Sequence, residues 1–227
     1  MHLHGLDVDQ QNDGVPALSF AVGGAGNPTS YTYKFVAPHA GTYMYHCHVD
    51  TNKHFEMGMF GTIIIRPRDG NTNQIWDNGP TFDKEYIWQL TTYDSNWHSG
   101  GMGDVSNLVR YRPNYFMING KDGVNANNDS ATAITANAGD KVLVRINGTS
   151  YIPGIIRMGG LSFEVVASDG RPLAQSYSAT EIMCAAGERY DIILIMPSSG
   201  QYTGSIEYRD IRNAKTLGTA TTTITVA

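Results

Sequence analysis

The chain has 227 residues, enough for one large domain or two small ones with real cores. Only 16% of residues are charged, the net charge is −5 and no basic cluster occurs, so neither nucleic acid nor an anionic membrane surface is a favoured partner. The longest apolar runs, such as Ile192 to Met196, are too short to cross a bilayer.

Strand signals run the length of the chain. His2 and His4 stand at i and i+2, so on a strand both face the same way. Further strands are predicted at Tyr31–Val36, Gly41–Tyr45, Gly61–Arg66, Glu85–Thr91, Lys141–Ile146, Leu161–Ala167, Arg189–Met196 and Thr219–Val226. Each is rich in β-branched or aromatic residues and flanked by Gly, Pro, Asn or Asp. No long amphipathic helix is predicted, and short strands at this spacing imply β-sandwich domains.

The halves read as distant copies of one another. His2-Leu3-His4-Gly5 answers to Ile156-Arg157-Met158-Gly159, and Asp13-Gly14-Val15-Pro16 to Asp169-Gly170-Arg171-Pro172. Gly41-Thr42-Tyr43 answers to Gly200-Gln201-Tyr202, and Gly61 to Ile65 answers to Ala220 to Ile224. Matches in one order imply a duplicated domain. The expected division is a first domain over 1–70, a linker over 71–84 rich in Asp, Asn, Gly and Thr, and a second domain over 85–227. The second copy has about forty residues of strand-like sequence before Ile156 that the first copy lacks. The expectation is therefore a first domain without its opening strands, supplied by upstream residues or by another chain. Met1-His2-Leu3-His4 shows neither the charged start nor the apolar stretch of a signal peptide.

The densest chemistry lies in Tyr45-His46-Cys47-His48, with His54 and Met59 downstream. A thiolate, imidazoles and a weak thioether are the donor set of a mononuclear blue-copper site. On a strand His46 and His48 face one way and Cys47 the other, so one strand could serve two metal centres back to back. The bland alternative is a buried Cys beside surface His residues. A Cys47–Cys184 disulfide would consume that thiolate, and Cys184, in Ile182-Met183-Cys184-Ala185, reads as a small core residue.

These motifs, His-x-His-Gly followed by His-Cys-His with downstream His and Met, resemble those of the multicopper oxidases, laccases included. The resemblance implies an all-β chain of two cupredoxin-like Greek-key β-sandwich domains. It also implies Cys47, His54 and Met59 as type 1 copper ligands, Met59 being preferred to Met57 because the family's axial ligand falls five residues past the His. The family's second type 1 His lies three residues before His-x-His-Gly, upstream of Met1; that implies a His two positions before Met1. The Cys47–His54 loop is two residues longer than is usual in laccases and resembles those of copper nitrite reductases. Those reductases lack the His after the Cys, so His48 favours an oxidase.

By the same resemblance His2, His4, His46 and His48 are half the ligands of a type 2/type 3 trinuclear copper cluster. The second half of the chain looks copper-free. Ile156 and Met158 stand for His2 and His4, and Ser205, Ile206 and Glu207 stand for His46, Cys47 and His48. The missing ligands are expected from a further cupredoxin domain or from another subunit, a homo-oligomeric trimer being the attractive form. The implied function is a copper-dependent oxidoreductase. Electrons pass from a donor substrate through type 1 copper, Cys47, His46 and His48 to a cluster that reduces dioxygen to water, in a periplasmic or secreted location. An electron-transfer or copper-binding protein without oxidase activity is the alternative, and a structural assembly protein retaining copper motifs is a third. His39 reads as a turn residue. His98, in Asn96-Trp97-His98-Ser99-Gly100-Gly101-Met102, reads as a solvated loop residue that could line a path to the metal. Asn128-Asp129-Ser130 and Asn147-Gly148-Thr149 are glycosylation sequons, meaningful only in a eukaryotic secretory setting.

Overall fold

The computed structural model describes all residues except 24, 25, 27 and 99–109. Met102 of the His98 segment therefore lies outside the described residues. The first half carries β1 (His2–His4), α1 (Gln10–Asp13), β2 (Gly41–His46), α2 (Thr51–Glu56) and β3 (Phe60–Ile65). The rest carries β4 (Lys84–Tyr93), β5 (Tyr115–Ile118), α3 (Gly123–Asn127), β6 (Ile134–Ala136), β7 (Lys141–Asn147), β8 (Gly154–Met158) and β9 (Phe163–Ser168). Then come β10 (Arg171–Ala179), β11 (Glu181–Cys184), β12 (Arg189–Ile195), β13 (Gly200–Arg209) and β14 (Thr216–Val226). The fold is nearly all β, as the strand signals imply.

Among the described residues three sheets form, in the orders β1-β2-β3, β10-β9-β12-β7-β4-β5 and β11-β8-β13-β14-β6. The two larger sheets face each other as a sandwich. Trp88, Val142, Val144, Ile146, Ile192 and Leu194 point in from one side, and Ile156, Met158, Ile206, Tyr208 and Ile224 from the other. The smaller sheet has its own apolar cluster of Leu3, Leu6 and Tyr43, with Tyr33, Phe35 and Tyr45 packed against it.

Residues 142–147 on β7 are buried without alternation, the sign of a strand covered on both faces. Val142, Val144 and Ile146 enter the sandwich, while Leu143 lies under Ile75 and Phe82 of the 71–84 segment. That segment is thus anchored by apolar side chains. Further along the same outer face, Arg145 and Asn147 meet the small sheet. Arg145 donates to Glu85 Oε1 (2.7 Å), Thr42 Oγ1 (2.9 Å) and Asp191 Oδ2 (3.1 Å), and Asn147 Nδ2 donates to Thr62 Oγ1 (2.8 Å). Burial raises the Asp191 carboxyl above its usual value although Arg145 opposes it. Burial works the same way on Glu85, but Arg66 and Arg145 hold that carboxyl low.

Tyr31–Val36 is not a strand. Its alternation is real, since Tyr33 and Phe35 pack inward, but its backbone pairs with a side chain. Asn12 Oδ1 accepts from the Lys34 N–H (2.9 Å) and Asn12 Nδ2 donates to the Lys34 carbonyl (3.0 Å). The amide thus supplies both bonds that a neighbouring strand would have made.

The repeat is visible in the ladders. β1 sets His2 opposite His46 and His4 opposite Met44; β8 sets Ile156 opposite Ile206 and Met158 opposite Gly204. With Ile156 in the place of His2, the residue in the place of His46 is Ile206, one beyond the Ser205 expected from the motif. Gly5 and Gly159 end the two strands alike, both at positive φ.

Candidate metal centre

β2 is the middle strand of its sheet and ends at His46, so its neighbours decide what surrounds the motif. β1 runs antiparallel to it and brings His2 and His4 alongside. The imidazoles converge: the donor nitrogens of His2, His4 and His46 can all lie within 4.8 Å of one another. The His48 ring is 5.5 Å from His2 and 5.6 Å from His46, and His4 Nδ1 faces His46 Nε2 across 3.4 Å. Leu3, between the two His residues, points into the small core instead.

Two of these rings are held by backbone oxygens. His2 Nδ1 donates to the Asp13 carbonyl (2.9 Å), and His46 Nδ1 donates to the Cys47 carbonyl (2.9 Å), which leaves each Nε2 free for a metal. Asp13 is placed by α1, whose N-cap Asp9 accepts from the Asn12 N–H (2.9 Å) and which ends at Gly14 in the left-handed region. A Cβ on Gly14 would overlap the Met1 carbonyl, so only glycine lets this turn close on β1. Burial, then the Arg189 charge and the imidazoles of His46 and His2, pull His4 down to about 4. Burial also lowers His46. Neutral imidazole at neutral pH is the form that coordinates a metal.

The other side of the motif holds the second donor set. Cys47 is buried and unpaired with Cys184, and its Sγ lies 3.0 Å from His54 Nδ1. His54 sits on α2, whose C-terminal turn closes with Met57 N–H donating to Lys53 O and Gly58 N–H to Phe55 O. Gly58 at φ 83 reverses the chain. Met59 then returns alongside Cys47, donating from its N–H to His54 O (3.0 Å) and accepting from the Cys47 N–H (2.9 Å). The backbone of Met59, not that of Met57, is bound to Cys47.

A thiol and an imidazole on one side, with Met59 reaching them through its backbone, and an imidazole cluster on the other are donors of the soft and borderline kind suited to copper. Among the described residues neither set occurs in the second half, where Ile156, Met158 and Ile206 are packed into the sandwich core. His39 is in a turn, its Nε2 3.6 Å from Asp7 Oδ2 and its carbonyl accepting from Tyr43. His98 lies 3.2 Å from the buried Glu56 carboxylate. Sequence reasoning missed Asp13, Lys53, Glu56 and Arg189. The Asp-Gly-x-Pro match was a signal for Asp13; the others carry none, because their partners are distant in the chain.

Residues 1–70 match one multicopper oxidase family model and residues 90–227 match another. The chain belongs to the multicopper oxidases. Among its relatives are copper resistance protein A of Pseudomonas syringae pv. tomato (26% identical, 89% of this chain and 38% of the relative) and Laccase-1 of Botryotinia fuckeliana (30%, 86% and 33%). Copper-containing nitrite reductases of Neisseria match as well. Blue Copper Oxidase from Nitrosomonas europaea superposes with a TM-score of 0.75 at 29% identity, over 99% of this chain and 68% of that one. The chain spans 38–40% of the length of the first curated relatives it matches, so the activity of a whole relative is a proposal for it.

Proposed function

We propose that this chain is the electron-entry half of a laccase-like copper oxidase. The observation that carries the reading is the two-sided strand end. Cys47 Sγ meets His54 on one face, and His46 joins His2, His4 and His48 on the other. When bound, copper at the first set supplies a one-electron redox centre, and copper at the second supplies the place where dioxygen is reduced to water.

The chain's own residues provide the connection. Cys47 is continuous through backbone with both His46 and His48, and the Cys47 carbonyl also accepts from His46 Nδ1, a hydrogen-bonded shortcut between the two sets. Cys47, His54 and Met59 bind and tune the first metal; His2, His4, His46 and His48 bind half of the second group. A further cupredoxin domain or a second subunit would supply the remaining imidazoles. The relatives named for copper resistance fit a periplasmic or secreted setting. Among the described residues no helix is long and apolar enough to cross a membrane.

A copper-binding electron carrier without oxidase activity is the second reading, favoured by the blank second half and by the nitrite reductases among the relatives. Metal analysis and oxygen-uptake measurement, made on the chain assembled with the domain or subunit that completes the cluster, separate the two. A full mononuclear-plus-trinuclear complement with oxygen consumption supports the oxidase; a single copper without turnover supports the carrier. A native protein that takes up no copper would sink both and leave a structural role.

A further inference from the structure

The mononuclear donor loop is not held by its own half of the molecule alone. α2 is only six residues long and its N-cap Asp50 makes no side-chain capping bond, so it has little stability of its own. Yet it carries two fully buried charged side chains, Lys53 and Glu56, each 1% exposed. They stand at i and i+3, on one face of the helix, flanking His54 and pointing into the segment that follows β4. Lys53 Nζ donates to the Trp97 carbonyl. Glu56 Oε1 accepts from the Asp94 N–H (2.6 Å) and lies 3.2 Å from His98 Nε2. Asp94, itself 1% exposed, caps the same turn by accepting from the Asn96 N–H (3.0 Å) and the Arg112 N–H (2.7 Å). Phe55 adds a ring contact to Tyr151 at 5.2 Å, and the Tyr151 hydroxyl donates to the Asn52 carbonyl (3.2 Å).

Every residue of α2 from Asn52 to Glu56 except His54 is thus tied to 94–98 or Tyr151, while His54 alone turns to the thiol. Burying a lysine and two carboxylates in one knot is costly unless all are bonded. A single apolar side chain would have packed the helix at less cost. What the polar knot adds is directional: each bond has one geometry, so the helix has one pose.

We infer that Lys53 and Glu56 are positioning residues that latch α2 to segment 94–98 and thereby set where His54 and Met59 stand relative to Cys47. The inference rests on the copper reading of Cys47 and His54, and it gives the metal-free half a defined task. The second half holds the electron-entry site in geometry although it binds no copper itself.

The test uses the full chain with Cu(II) as the probe and three variants: Glu56→Ala, Glu56→Gln and Lys53→Met. A fourth variant, Val144→Ala, serves as a control that weakens the distant sandwich core. The expected result is a loss of about 10–100-fold in Cu(II) affinity at the mononuclear site for E56A and K53M, with an altered copper–thiolate absorption and a shifted reduction potential. E56Q, whose amide oxygen still accepts from Asp94, recovers most of that loss. V144A lowers thermal stability but leaves absorption and potential at wild-type values. The inference is overturned if E56A and K53M keep wild-type affinity and spectrum, or if they move no more than V144A. Should the wild-type chain itself form no copper–thiolate band, the metal reading fails. The latch is then judged on the apo chain by amide exchange across 54–59: faster exchange in E56A is expected, and unchanged exchange overturns it. A blue site without oxygen uptake would refute the oxidase and leave the latch standing.

Discussion

Gly5 shows how much one residue of a short motif has to satisfy. It sits at φ 84, and a Cβ there would lie 2.2 Å from an Arg189 guanidinium nitrogen. Gly5→Ala therefore forces both a left-handed alanine and the displacement of a buried arginine. It should lower unfolding free energy by about 1–3 kcal/mol in a denaturant titration, with Cu(II) uptake at His2 and His4 reduced alongside. Cys47→Ser tests the opposite case, chemistry without architecture. The variant should keep its thermal midpoint close to wild type and lose the copper–thiolate absorption entirely; a surviving blue band would remove Cys47 from the metal. At this scale the candidate donor residues were legible, because residue type and spacing are local facts. Glu56 and Lys53 were not: a buried charge is identified by its partner, and theirs lie about forty residues away in another element.

At the scale of elements, periodicity predicted faces better than it predicted ladders. Tyr31–Val36 has the alternation of a strand, and Tyr33 and Phe35 do pack inward, but Asn12 takes the hydrogen bonds. The strand pair β8·β13 is a second case. It copies β1·β2 in topology, with ion pairs added at the surface where half-buried Arg157 meets exposed Glu181 and half-buried Glu207. Arg209, Thr216 and Arg157 hold the Glu207 carboxyl down at about 2. A depressed carboxylate stabilises the fold above its unfolded value of 4.5, and that contribution is lost as pH falls toward 2. Glu207→Gln should accordingly be less stable than wild type at neutral pH, by no more than about 1 kcal/mol for so exposed a network. The difference should close as unfolding is measured at progressively lower pH; a gap that persists at pH 2 would show that the carboxylate charge is not its source.

At the scale of the whole molecule, the contact between the small sheet and the sandwich is polar and buried, built on Arg145, Asp191, Thr42, Glu85 and Asn147 with Thr62. Removing one partner leaves the other charged and without water. Arg145→Met should cost about 3–5 kcal/mol, and Arg145→Met with Asp191→Leu should recover a large part of it. Calorimetry checks a further consequence: wild type should unfold in one transition, and R145M should broaden or split it as the small sheet uncouples.

Residue type and spacing alone were enough for the class of the fold, the family and the candidate donor residues. Those follow from side-chain type and from periods of a few residues along the chain. It took the tertiary structure to show that four imidazoles meet, that His54 reaches the thiol, and that residues of the second half hold the helix that carries His54. The His54 contact was foreshadowed by its spacing from Cys47; the others join residues far apart in sequence, set by packing and by the need to satisfy buried charge.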